Sequence, residues 1–150
     1  MNEKDEFSTH FRAIQIRFSR FYARFLTQAD LTLQQYALLN QLASSGTMSM
    51  TDASEKLLIT KPAVTHLVDR LEKGGFIKRL AHPKDRRIYL LEILPKGKNM
   101  VKEIQTIVFR FLLKTLNRFD AEERKTIVRF YALLSHTMDE VLSHSRDDKP

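Results

Sequence analysis

The chain has 150 residues, 25 Lys/Arg against 18 Asp/Glu, a formal net charge of +7 and no cysteine. That length suits one domain with one core, and the lack of cysteine excludes disulfides, thiolate zinc sites and thiol redox switches. No apolar run approaches the roughly 18 residues needed to span a bilayer, and the charged start MNEKDEF lacks the apolar segment of a signal peptide. A cytoplasmic chain with no membrane partner is therefore expected.

In chain order, residues from about Glu6 to Leu26 read as a first helix. Phe7, Phe11, Ile14, Phe18, Phe21, Tyr22 and Phe25 recur at helical spacing, with arginines at 12, 17, 20 and 24 elsewhere on it. A stripe this long exceeds what a helix at the edge of a small domain normally buries, so it reads as core or as a surface for a second copy. Asp30-Leu31-Thr32 breaks the pattern. Leu33 to Ala43 form a second helix that offers Tyr36, Leu38, Leu39 and Leu42 to the core, and Ser44-Ser45-Gly46 stops it. Residues 47–49 have the spacing of one short strand.

Ser49 with Asp52 three residues later is a capping-box pattern, and it opens a helix that runs to about Leu57. Leu58-Ile59 make a short turn. Thr60 then caps a second helix, KPAVTHLVDRLEK, whose Pro62 sits in the first turn, where a missing N–H costs nothing. Gly74-Gly75 end it, since glycine readily adopts a left-handed C-cap. Val64, Leu67, Val68 and Leu71 form one apolar stripe that must pack inward. The opposite face carries Lys61, Thr65, His66 and Asp69, with Arg70 beside them. Any solvated helix face can look like this, but the same face also suits a helix lying in a DNA major groove.

The next segment favours the second reading. FIKRLA and IYLLEI are β-rich runs separated by His82-Pro83-Lys84-Asp85-Arg86-Arg87, a turn with a cationic tip. Tyr89, Leu91 and Ile93 alternate to one side, as in a half-buried strand. A helix-turn-helix followed directly by a basic hairpin is a winged helix, in which the helix reads bases and the wing reaches phosphates or a minor groove. From Lys61 to Lys98 there are ten Lys/Arg against four Asp/Glu, while the rest of the chain carries 15 against 14. An excess concentrated in this way points to a polyanion.

Pro95 opens a long helix whose apolar face is Met100, Ile104, Ile107, Val108, Phe111, Leu112 and Leu116. After a break at Phe119, Asp120 caps a last helix to about Ser143, which carries Ile127, Phe130, Tyr131, Leu134, Met138, Val141 and Leu142. The polar tail from His144 to Pro150 is expected to fray. The predicted fold class is mainly α with a small β-hairpin wing. A winged region of about 33–95 lies between helices of about 6–30 and 98–143, all within one domain of residues 1–150.

The segment VTHLVDRLEKGGFIKRLAHPKDRRIYLLEILPKG resembles the multiple-antibiotic-resistance regulator (MarR) family. The resemblance includes the LVDRLEKGG end of the recognition helix, the strand after it, and Asp85-Arg86-Arg87 as the D-x-R wing signature. The sequence departs from the family pattern at His66, where arginine is common, at Leu58, where glycine is common, and at Leu94, where threonine is common. The resemblance implies a homodimeric transcriptional regulator, usually a repressor of a pseudo-palindromic operator that a small molecule or an oxidant releases. The lack of cysteine excludes the members that sense peroxide through a thiol. The flanking helices would then be dimerisation arms, with Phe7, Phe11, Phe18, Phe130, Leu134 and Met138 at the interface.

Candidate DNA contacts are Thr60, Lys61, Pro62, Thr65, His66 and Arg70 on the helix and Lys84, Arg86 and Arg87 on the wing. In the family one wing arginine braces against Asp85 while the other points at DNA, and the sequence leaves open which does which. The family pocket lies where the first, second and fifth helices meet. Phe18, Tyr22, Tyr36 and Phe111 would line it, with Arg17 for an anionic group of a lipophilic or aromatic effector. A nonspecific, architectural DNA-binding protein without an effector is the alternative.

An enzyme is disfavoured. Histidines 10, 66, 82, 136 and 144 have no metal-ligand spacing, and no glycine-rich phosphate loop or G-x-S-x-G elbow is present. No metal or cofactor is expected.

Overall fold

The computed structural model describes residues 2–144, with side chains to Ser143. The elements are α1 (Glu3–Gln28), α2 (Leu33–Ser45), β1 (Met48–Ser49), α3 (Met50–Leu57), α4 (Lys61–Lys73), β2 (Ile77–Ala81), β3 (Tyr89–Ile93), α5 (Pro95–Leu116) and α6 (Ala121–His144). The expected fraying of the tail lies outside the described residues. Two compact units divide the chain, Met1–Gln105 and Thr106–Pro150, with the division inside α5.

In the first unit the start of α1 is earlier than the apolar pattern suggested. Asn2 is the N-cap, its side chain accepting from the Asp5 N–H at 3.0 Å, and Glu3, Asp5 and Glu6 fill the first turn. Polar caps and acidic first turns add helix beyond the reach of a hydrophobic stripe. A reciprocal capping box starts α2, where Gln35 Nα donates to Thr32 Oγ1 at 3.2 Å and Thr32 Nα donates to Gln35 Oε1 at 2.7 Å.

The box expected at α3 is present as well. Asp52 Nα donates to Ser49 Oγ at 3.0 Å, and Ser49 donates its N–H and its hydroxyl to Asp52 Oδ2 at 2.9 and 2.7 Å. These bonds, the hydroxyl's first, hold the Asp52 carboxyl below its ordinary range.

Leu58, in the turn between α3 and α4, has φ 54° and ψ 39°, a left-handed conformation that glycine adopts more easily. The turn is held by Ser54 Oγ donating to the Ile59 carbonyl at 2.6 Å. Val64, Leu67, Val68 and Leu71 of α4 are all buried, within a core that includes Leu38, Leu39, Leu42, Ala53, Ile77 and Leu91. Burying each large aliphatic side chain stabilises by about 1.5–3 kcal/mol, so this stripe fixes how α4 is rolled about its axis.

The sheet has the order β1-β3-β2 and is antiparallel throughout, so the short strand expected near residues 47–49 does complete three strands. Leu91 and Ile93 point into the core, but Tyr89 is 50% exposed. The alternation fails there because Tyr89 pairs with Ala81 at the outer end of the hairpin, beyond the core it would have to cover.

The end of α4 is closely packed. Gly74 is right-handed and Gly75 takes the positive φ of 74°. Lys96 Nζ donates to the Gly74 carbonyl at 2.7 Å and lies 4.2 Å from the Phe76 ring centroid. Gly97 is buried in the first turn of α5, where a Cβ would come 2.6 Å from the Phe76 carbonyl oxygen.

In the second unit Asp120 caps α6 as expected, Glu122 Nα and Glu123 Nα each donating to its Oδ1 at 2.9 Å. No residue of α6 is buried among the described side chains, although Ile127, Phe130, Leu134 and Met138 follow helical spacing. Among the described residues no helix is long and apolar enough to cross a membrane.

Gly97→Ala should destabilise the fold by about 1–3 kcal/mol, the usual cost of forcing one carbon into a packed site. A thermal melt checks this, and an unchanged midpoint would show that α5 can retreat from Phe76.

Candidate nucleic-acid interface

The buried stripe of α4 determines which side chains the helix shows to solvent. Thr60 Oγ1 accepts from the Ala63 N–H at 3.4 Å, and Pro62 occupies the first turn. Lys61, Pro62, Thr65, His66 and Arg70 are all exposed, as is Thr60 before them. Thr65 Oγ1 donates to the Lys61 carbonyl at 3.1 Å, which orients its hydroxyl and leaves an acceptor lone pair outward.

The wing is ordered by its own tip. His82 Nα donates to the Ile88 carbonyl at 3.0 Å, and Ile88 Nα donates to the Asp85 carbonyl at 3.1 Å. Lys84 Nα donates to His82 Nδ1 at 3.2 Å, and Arg87 Nα donates to Asp85 Oδ1 at 2.9 Å. Asp85 thus braces the turn through a backbone N–H. Among the described residues no ion pair joins it to the guanidinium of either Arg86 or Arg87.

The cations of this region divide into two groups. Lys78 pairs with Glu92 at 3.3 Å across the hairpin, and Arg79 of β2 pairs with both Asp69 and Glu72 of α4. Burial lowers the pKa of the Arg79 guanidinium, but its hydrogen bonds to Asp69 and Glu72 outweigh this and raise it above the ordinary value. By contrast, Lys61, Arg70, Lys84, Arg86 and Arg87 are exposed and have no carboxylate partner among the described residues. The charge excess seen in the sequence therefore includes a set of uncommitted cations on the helix and the wing.

Two features escaped the sequence reading. Asp69, placed there on the open face, is tied to β2. Arg79, one cation among ten in that stretch, is what ties it. Only the spacing of Asp69 and Glu72, three residues apart on one helix, hinted at a shared partner.

Of the proposed effector residues, Tyr36 is buried and its ring lies 5.6 Å from that of Tyr22, which lies 6.3 Å from Phe18. Desolvation raises the Tyr36 pKa above its ordinary value. Arg17 is exposed, and Phe111 belongs to the second unit. A separate cleft of about 460 Å³ lies among α2, β3 and α5, with Leu42, Ile93 and Val101 at its floor and Lys98 and Lys102 at its rim. None of the aromatic residues just named lines it.

A capped helix with an open polar face, beside a hairpin with unpaired cations, defines a winged helix-turn-helix DNA-binding module. The MarR family model matches residues 31–89, which span α2 through the start of β3. The HTH-type transcriptional regulator FarR of Neisseria gonorrhoeae is 34% identical over 79 residues, 53% of this chain and 54% of that protein. The uncharacterized HTH-type transcriptional regulator YsmB of Bacillus subtilis is 28% identical over 113 residues, 75% of this chain and 77% of that protein.

Among solved structures, a MarR family protein from Bacillus stearothermophilus superposes with a TM-score of 0.78 at 26% identity, covering 93% of this chain and 99% of that one. NadR, solved in complex with 4-hydroxyphenylacetate, superposes with a TM-score of 0.60 at 28% identity, covering 83% and 89%. Residues 31–89 thus carry the winged helix-turn-helix module of the MarR family model. The chain is similar to MarR family proteins over most of its length, and it is a DNA-binding transcriptional regulator.

Replacing Lys84 and Arg86 together by Ala should weaken binding to all duplexes and flatten the dependence of log K on log salt by about 0.9 per lost phosphate contact. Fluorescence anisotropy at several salt concentrations measures this. An unchanged affinity and slope would remove the wing from the interface.

Proposed function

We propose that the protein is a homodimeric repressor of a pseudo-palindromic operator, released by a small lipophilic or aromatic ligand. Lys61, Thr65 and His66 read base edges from the first turns of α4. Thr60 and Arg70 take neighbouring phosphates, and Lys84, Arg86 and Arg87 act from the wing. The observation that carries this reading is the set of cations left unpaired on both elements while their neighbours are paired.

Dimerisation is supported by the apolar faces of the flanking helices. On α1, Phe7 is 56% and Phe11 47% exposed, and α6 leaves Phe130 and Met138 exposed with Leu134 only half-buried. Faces of this size on a regulator call for a second copy. A two-fold dimer would hold two copies of α4 about one helical turn of DNA apart, roughly 34–36 Å, and α1 and α6 would set that distance. The aromatic cluster of Phe18, Tyr22 and Tyr36 is the candidate effector site. The 4-hydroxyphenylacetate complex of NadR supports an aromatic acid as its ligand class. A ligand that changed the packing of α1 and α5 would change the spacing of the reading helices, and so release DNA.

Sedimentation of the wild-type protein should give a dimer that binds one duplex per two protomers. Phe130→Asp with Met138→Asp should give a folded monomer with sharply weaker DNA binding. A monomeric wild type, or a monomeric variant with undiminished affinity, contradicts the dimeric reading. Titrating the DNA complex with 4-hydroxyphenylacetate and related aromatic acids should dissociate it, and a complex indifferent to the whole panel counts against the effector.

A further inference from the structure

The ion-paired cation between the reading helix and the wing has a role that the contact surface alone does not supply. Asp69 and Glu72 are three residues apart on α4, so both carboxylates lie on one side of the helix. Asp69 also follows Thr65 by four residues and His66 by three, which puts a carboxylate, 54% exposed, at the edge of the face that reads DNA. An aspartate left open there would meet the phosphate wall of the groove as α4 seats.

Arg79 prevents this with one side chain. Its Nη2 donates to Asp69 Oδ1 and its Nη1 to Glu72 Oε2, while its backbone N–H donates to Glu72 Oε1 at 3.0 Å. The fork of the guanidinium spans both carboxylates, whereas a lysine offers a single ammonium centre. Arg79 also sits on β2 two residues before the strand ends at Ala81, so the strand held by α4 is the one that leads to Lys84, Arg86 and Arg87. The bridge therefore joins the two elements that must touch DNA together.

We propose that Arg79 is a positioning residue for DNA binding, holding Asp69 and Glu72 against the wing strand and away from the phosphates. This rests on the assignment of α4 and the wing as the DNA interface. Arg79 itself makes no DNA contact, and it acts through the two carboxylates. Opposed like charges across an interface are strongly unfavourable, and the bridge removes them where α4 meets the backbone.

The test uses the full chain and a duplex recovered by wild-type selection from genomic fragments, with anisotropy at two salt concentrations and a thermal melt of each variant. Arg79→Met should weaken binding by about tenfold or more, the order expected when carboxylates are turned toward phosphates. Arg79→Lys should fall between wild type and Arg79→Met. Adding Asp69→Asn and Glu72→Gln to Arg79→Met should restore affinity to within about threefold of wild type, although those ion pairs are equally absent, because no carboxylate is left to repel. Asp69→Asn with Glu72→Gln in the presence of Arg79 should bind at least as tightly as wild type.

A merely structural bridge predicts the opposite for the triple variant, which would stay as weak as Arg79→Met. That result would overturn the inference, as would an Arg79→Met protein that binds like wild type. Should Arg79→Met fail to fold, the double variant decides, and a tenfold loss there overturns the inference. Wild-type protein that binds no duplex at either salt would reject the DNA interface itself, and the inference with it.

Discussion

The roll of α4 about its own axis is the constraint on which the interface depends. Val64, Leu67, Val68 and Leu71 are buried together, so Lys61, Thr65, His66 and Arg70 are left on the outside. Rotating the helix by one residue position would bury a charged or polar group and expose a leucine or valine. Burying unpaired polar groups costs several kcal/mol each by transfer estimates, while the surface ion pairs that decorate the helix contribute about 0–1 kcal/mol. The core therefore orients the face proposed to read DNA, and the surface contacts refine where it sits.

Those refinements concentrate at the C-terminal end of α4. Arg79 reaches back to the helix from β2, and Lys96 closes its last turn from the start of α5. Gly97 lets α5 approach the Phe76 carbonyl so closely that a Cβ would collide with it. Strand, helix end and the next helix thus form one joint, while the N-terminal turns of α4, which carry the proposed base readers, remain open. Lys78, Arg79 and Lys96 are committed to protein partners here, whereas Lys61 at the start of α4 and Lys84, Arg86 and Arg87 on the wing are left for an external anion.

Much of this was legible in the sequence because it rests on local chemistry. The caps at Ser49 and Asp120, the stop at Gly74-Gly75 and the stripe on α4 are short-range patterns, and each appears where the pattern put it. The third strand was legible as spacing alone. The exposure of Tyr89 was not, because alternation says which side a residue points to but not whether core exists behind it. Long-range pairing was equally hidden, since nothing in the order of residues ties Arg79 to Asp69 ten positions earlier. The MarR signature at 85–87 marked the wing, yet it suggested a guanidinium brace where the structure uses the Arg87 N–H. The effector residues are the least determined by sequence, because aromatic side chains at helical spacing serve a core and a pocket equally well.

The central claim is that two copies of α4, held at a fixed separation, read one symmetric site. A selection from genomic fragments with the purified protein, run at two salt concentrations, tests it most directly. The account predicts recovery of one pseudo-palindrome whose half-sites lie about one helical turn apart, roughly 10–10.5 base pairs centre to centre, with tighter retention at the lower salt. Salt-sensitive recovery of fragments sharing no motif would contradict it, and would leave a winged helix that binds DNA without reading it.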